Sequence, residues 1–138
     1  MKKKLFYIVY ICLQCTWGLG QTLIGFIVFL LHLNCPHRFW RGCIETRWNS
    51  FAGLSLGLFI FTPAQENNEV RVHEYGHTFQ SLILGPLYAI TGVVSMTWGC
   101  LPVFVKMRRD RHIKYTACFV EAEASHLGEK ITGEKALW

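Results

Sequence analysis

Charge is scarce in this chain of 138 residues. Only 17% of them are charged, against roughly 25% in an ordinary globular domain. Aspartate is almost missing, with Asp110 alone beside eight glutamates. No second Cys-x-x-Cys accompanies Cys12-Leu-Gln-Cys15, which excludes a four-thiolate zinc site. No small-x-small cleavage motif follows the apolar start, which excludes an ordinary cleaved signal peptide. There is no internal repeat, so a solenoid or array is excluded too.

Apolar and aromatic residues are abundant, at 51% and 14%. The few charges gather at 1–4, 37–47, 66–74 and 106–114, with long apolar tracts between them. That arrangement predicts a single-domain, mainly α-helical integral membrane protein over residues 1–138, with polar connectors. The net charge of +5 does not point to nucleic acid, because the basic residues flank apolar stretches and form no basic face. The lysines of 1–4 before an uncharged tract at 5–33 read as an uncleaved signal anchor. The N-terminus is then cytoplasmic in a bacterial inner membrane, and the lipid bilayer is the first partner. That tract holds Gln14, Gln21, Gly18, Gly20 and Gly25, so one tilted transmembrane helix and a broken one both fit. Its glutamines are expected to face protein or a polar cavity, because lipid-facing amides are costly. The cysteines read as free packed thiols, with one bridge open to Cys35 and Cys43 in an oxidising compartment.

Residues 34–50 read as a polar turn with Trp40 and Trp48 at headgroup level. Residues 51–62 are apolar but too short to span, and fit a short strand or a re-entrant segment. A strand there could offer its edge to an extended substrate, or simply pack. Residues 69–84 predict a helix, and 115–130 a C-terminal helix. The stretch 82–105, with Gly85-Pro86 and Gly92, predicts a broken hydrophobic hairpin.

Chemistry concentrates in Val72-His73-Glu74-Tyr75-Gly76-His77, which has the HExxH pattern. On a helix, positions i and i+4 share one face, so His73 and His77 can reach one metal. Glu74 falls beside that metal as a candidate general base for a zinc-activated water, and Gly76 leaves room for a close neighbour. Gln80, three residues after His77, shares its side of the helix. Tyr75, Tyr88 and Tyr115 are candidate donors to an oxyanion. A third protein ligand is required. Asp110 lies among arginines, and Glu129 and Glu134 beside lysines, so these read as solvated ion pairs. Glu121 and Glu123, in a mostly apolar run with Ala122 and Ala124, both remain.

The segment Glu121-Ala-Glu-Ala124 resembles the third-ligand segment of gluzincin-type membrane metallopeptidases, relatives of the CAAX prenyl protease and the heat-shock membrane protease. The resemblance implies Glu121, not Glu123, as the third zinc ligand. It also implies hydrolysis of a peptide bond in a peptide or membrane-protein substrate. The family's aspartate falls on Ser125, so the carboxylate that would orient a histidine is absent. Residues 55–61, 73–88 and 121–128 are also similar to a group of small bacterial membrane proteins carrying HEYGH. A zinc peptidase is therefore expected. The alternative is a non-catalytic metal-binding accessory of a transporter or secretion partner, and a further protein could complete the cleft. Either metal reading demands that the apolar stretch 82–105 turn back and return Glu121 to the histidines, or that the metal lie within the membrane depth.

Overall fold

The computed structural model describes residues 2–138; Met1 of the basic start lies outside the described residues. The apolar N-terminal tract forms two helices, α1 (Lys2–Gln14) and α2 (Leu19–Leu31), bent by 91° at a short break. Gly18 sits at the corner, where a Cβ would lie 2.3 Å from Gln14 Oε1. The two glutamines turn inward. Gln14 Nε2 donates to Thr78 O at 3.0 Å and Gln21 Nε2 to Gly85 O at 2.6 Å. Both helices are thereby tied to the histidine helix by satisfied buried amides.

Four strands follow: β1 (His37–Trp40), β2 (Cys43–Trp48), β3 (Leu54–Leu56) and β4 (Phe59–Pro63), in the order β1-β2-β4-β3. Two antiparallel hairpins are joined by a parallel β2/β4 pairing. The first hairpin turns on Arg41 and Gly42, both at positive φ (50° and 90°), the backbone that a two-residue hairpin loop requires. Gly57, at φ 62°, opens the second. Phe59, Ile60 and Phe61 of the central β4 are all buried. Phe59 packs on Phe26 and Phe29 of α2, while Ile60 joins Tyr10, Cys43 and Tyr75 in the core on the other side. Burial on both faces explains why this strand reads as a continuous apolar run.

Helix α3 (Asn68–Leu84) crosses the sheet. Asn67 caps it, its Oδ1 accepting from the N–H groups of Glu69 and Val70 at 3.0 and 3.2 Å, two of the donors that a helix start leaves open. Arg71 anchors it, donating to Glu45 Oε1 of β2 at 2.9 Å. Both side chains are buried, and Arg38 and Thr62 supply further hydrogen bonds to the Glu45 carboxylate. A single 3₁₀ turn then leads into α4 (Tyr88–Cys100), followed by α5 (Pro102–Asp110) and α6 (Phe119–Thr132). Gly133 ends α6 in the left-handed conformation at φ 75°. Helices α3 and α6 form the most extensive pairing in the molecule. A Cβ on Gly76 would lie 1.8 Å from Ala124 O, and one on Gly128 2.2 Å from Val72 O.

This architecture overturns the expected mainly α-helical integral membrane protein with an N-terminal transmembrane helix and a broken hydrophobic hairpin. The chain is a mixed α/β domain with a four-stranded sheet. The polar turn at 34–50 is a β-hairpin, and 51–62 adds a second one to the same sheet. Among the described residues one helix, Asn68–Cys100, is long and apolar enough to cross a membrane, or two if the bent α1–α2 pair counts as one. The expected hairpin break at Gly85-Pro86 or Gly92 does not occur there. A 3₁₀ turn carries the helix through Gly85–Leu87, and Gly92 lies within α4. The helical path is interrupted later, at Leu101-Pro102 and between α5 and α6. Proline bars the residue before it from helix, and Leu101 is extended, with ψ 128°. All six cysteines are free; Cys43 is buried, but Cys12, Cys15 and Cys100 are exposed and not packed.

The helix contact predicts opposite outcomes for two glycines. Gly76→Ala should cost about 3 kcal/mol in urea unfolding, because Ala124 backbone must move. Gly92→Ala, with nothing within 4 Å of the new methyl, should instead gain roughly 0.5–1 kcal/mol from helix propensity.

Candidate metal centre

The close approach at Gly76 and Ala124 brings the first turn of α6 under the middle of α3. His73 and His77 lie one turn apart on α3, with ring centroids 4.8 Å apart and planes at 90°. Between them lies Glu121 of α6. Its Oε2 is 3.1 Å from His73 Nε2 and 3.4 Å from His77 Nε2. One ligand atom from each of the three lies within 4.8 Å of the others, and all three side chains are buried. His73, His77 and Glu121 thus form a group that could hold a metal ion.

The outer ring nitrogens are already engaged. His73 Nδ1 pairs with Ser125 Oγ at 2.8 Å and His77 Nδ1 with Gln80 Oε1 at 2.7 Å. The Gln80 amide is oriented by its own nitrogen, which donates to Val120 O at 2.8 Å and Glu123 Oε2 at 2.9 Å. Its oxygen must therefore accept from His77 Nδ1–H, so Nε2 is the ring nitrogen that faces Glu121. Glu123 takes no place in the triad. Ser125 contacts His73 at the point where the resemblance implied a carboxylate. A neutral hydroxyl and a neutral amide thus do the orienting that is common around metal-bound histidines.

Two features of Glu121 fit a cation. Burial alone would raise its carboxyl, yet hydrogen bonds from His73 and His77 outweigh this and hold it well below the usual carboxylate range. Its Oε1 is also buried with no hydrogen-bond partner among the described residues. Such an atom is costly unless something outside the polypeptide satisfies it.

Glu74 lies on the adjacent face, its Oε2 within 2.7 Å of Ser55 Oγ on β3. Gly53 is essential to this placement, since a Cβ there would lie 2.0 Å from Glu74 Oε1. His73, Glu74 and His77 open on a cleft of about 410 Å³ bounded by 51–56 on one side and α4 on the other. Tyr88 and Tyr115 line it. Tyr75 does not, because its hydroxyl donates to Arg41 O at 2.8 Å within the core. The other carboxylates are elsewhere. Asp110 pairs with Arg109, Glu134 with Arg41, and Glu129 accepts from Ala136 N and Trp138 Nε1. Gly53, Ser55 and Ser125 orient the site without belonging to its motif. Ser55 opens one of the resemblance segments and Ser125 falls within another, while Gly53 lies outside them all.

Compared with protein-family models, curated proteins and solved structures, the chain matches none of them.

Removing one ligand should abolish tight metal binding. Glu121→Gln keeps the shape but loses the anion, and metal affinity measured by chelator competition should fall by more than the roughly 10–100-fold typical of an orienting partner. Affinity within threefold of the unaltered chain would remove Glu121 from the site.

Proposed function

We propose that this chain is a zinc-dependent peptidase. The reading is carried by one observation: two buried imidazoles and a carboxylate with an unpaired oxygen face one another beside a second carboxylate, Glu74, at the floor of a cleft. Two nitrogens and one oxygen with an open position are the donor set of catalytic zinc. His73, His77 and Glu121 would hold the ion, which when bound acidifies water and polarises a carbonyl.

The remaining chemistry belongs to the chain. Glu74 is the proton carrier, taking a proton from water and giving it to the leaving amine. Ser55 and Gly53 hold its carboxylate toward the cleft. Tyr88 and Tyr115 are the phenolic hydroxyls within the cleft that can donate to a developing oxyanion, with the Ser95 hydroxyl beside them. An extended substrate fits the geometry of β3, an outer strand of the sheet. The Gly57–Leu58 loop makes Leu56↔Phe59 the hydrogen-bonded pair. By alternation the Ser55 N–H and C=O face the free edge, where Tyr88 Oη lies 3.5 Å from Ser55 O. A peptide backbone that displaces the Tyr88 hydroxyl from Ser55 O could pair there by strand addition.

The outer faces of α2 and α4 support a lipid bilayer as partner, with Leu23, Ile27, Ile90 and Val93 all exposed. Arg109 and Arg111 at the end of α5 are exposed and suit anionic headgroups. We infer a membrane setting from this pairing, a bacterial inner membrane from the resemblance of the HEYGH segments to small bacterial membrane proteins, and a membrane-associated peptide as substrate.

Glu74→Gln separates turnover from metal binding. It should keep its zinc and lose about 10²–10⁴-fold of its activity on a mixture of quenched fluorescent peptides. A wild-type chain that binds zinc but cleaves none of them, with Glu74→Gln silent in cells, would favour the accessory role instead.

A further inference from the structure

The segment after α6 is tied back onto the site. Ala136 N–H and Trp138 Nε1–H both donate to Glu129 Oε1, at 3.0 and 2.8 Å. Leu137 N–H donates to Glu69 O in the first turn of α3 at 3.2 Å. Held this way, Leu137 forms part of the cleft wall beside His73 and Glu74. Its carbonyl accepts the hydroxyl proton of Ser125.

That last contact decides a proton position elsewhere. A serine hydroxyl has one proton, and a carbonyl oxygen can only accept. With its proton committed to Leu137 O, Ser125 Oγ can only accept from His73 Nδ1, 2.8 Å away. His73 must then carry a proton on Nδ1, which makes Nε2, the nitrogen facing Glu121, the one that can give up its proton and ligate a metal. Were Leu137 O withdrawn, the Ser125 hydroxyl could rotate and donate to His73 Nδ1. The proton would then sit on Nε2, the atom needed for ligation.

We propose that residues 136–138 act as a clasp that positions His73 for metal through the relay Leu137 C=O, Ser125 hydroxyl, His73 Nδ1–H, with Glu129 as the clasp's anchor. The inference rests on the metal reading above and adds to it the groups that set the ligand's tautomer. Glu129 and Leu137 are positioning residues. Neither belongs to the metal-binding triad, and Glu129 lies outside the cleft. The arrangement also couples the cleft to the metal, since a ligand that displaces Leu137 from the wall releases Ser125.

Zinc affinity, measured by chelator competition on the full chain, three single variants and one double variant, tests the relay. Glu129→Ala removes the acceptor for two of the three hydrogen bonds and should weaken zinc about 10-fold. Glu129→Gln keeps an acceptor oxygen and should restore affinity to within about twofold. Ser125→Ala should weaken zinc by a similar factor to Glu129→Ala. The double variant should be no weaker than Ser125→Ala alone, because the two residues act in series. Additive losses, or Glu129→Ala within twofold of wild type, would overturn the proposal. Thermal melts by circular dichroism show whether each variant is folded. If the wild-type chain binds no zinc, the peptidase reading fails on its own, and imidazole ¹⁵N spectra of the metal-free protein decide the relay. His73 protonated on Nδ1 in wild type and mixed in Glu129→Ala supports the clasp; identical spectra refute it.

Discussion

The backbone-to-backbone approach of α3 and α6 is the constraint on which the rest depends. No side chain larger than hydrogen fits at Gly76 or Gly128 without moving the facing backbone. The contact at Gly76 sits between the two histidines in sequence and against the residue three beyond Glu121. With the helices this close, a carboxylate on the first turn of α6 reaches both imidazoles. With them a side chain further apart, Glu121 would face an empty gap. The site is thus a consequence of helix packing, and its polarity is tolerated in the interior because each outer nitrogen and each neighbouring amide has a partner.

The sheet supplies the second half of the arrangement. The Glu45–Arg71 pair fixes α3 on β2, and the β3 hairpin presents Ser55 to Glu74 from the side opposite α6. The candidate metal ligands therefore come from a helix pair, while the carboxylate beside them is aimed by a strand. Buried ion pairs often contribute little net stability because desolvation opposes the attraction. Here the pair's role is geometric, since removing either partner would leave a buried charge and free α3 to shift over the sheet.

The sequence was most legible where a short pattern had a rigid geometric meaning. His73 and His77 at i and i+4 on a helix lie on one face in the structure, and the helix at 69–84 differs from α3 by one residue at its start. Gln14 and Gln21 turn inward as their cost in an apolar setting implies. Glu121 was not separable from Glu123 by composition, and only the resemblance chose between them. Their separation in space follows from Gln80, whose amide takes Glu123 while Glu121 slips between the imidazoles. Legibility failed where pattern was ambiguous. An uncharged tract at 5–33 is consistent with one helix or two, and at the 91° corner Gly18 packs on Gln14, whose amide reaches Thr78 and Ser81 far along the chain. The run FIFT looks the same in a buried strand and in a lipid-facing segment. Residues 34–50 were rich in charge and tryptophan, which masked the alternation of a hairpin that turns on Arg41-Gly42. Ser125 looked like a deficiency in the sequence, because the hydrogen bond it makes to His73 depends on where the chain after α6 returns.

The most direct test of the central claim is X-ray absorption at the zinc edge on the purified full chain loaded with one equivalent of zinc. The account predicts a first shell of nitrogen and oxygen at about 2.0–2.1 Å, with two imidazoles and no sulfur. A shell containing cysteine sulfur at about 2.3 Å, or a hydrated ion without imidazole, would contradict it.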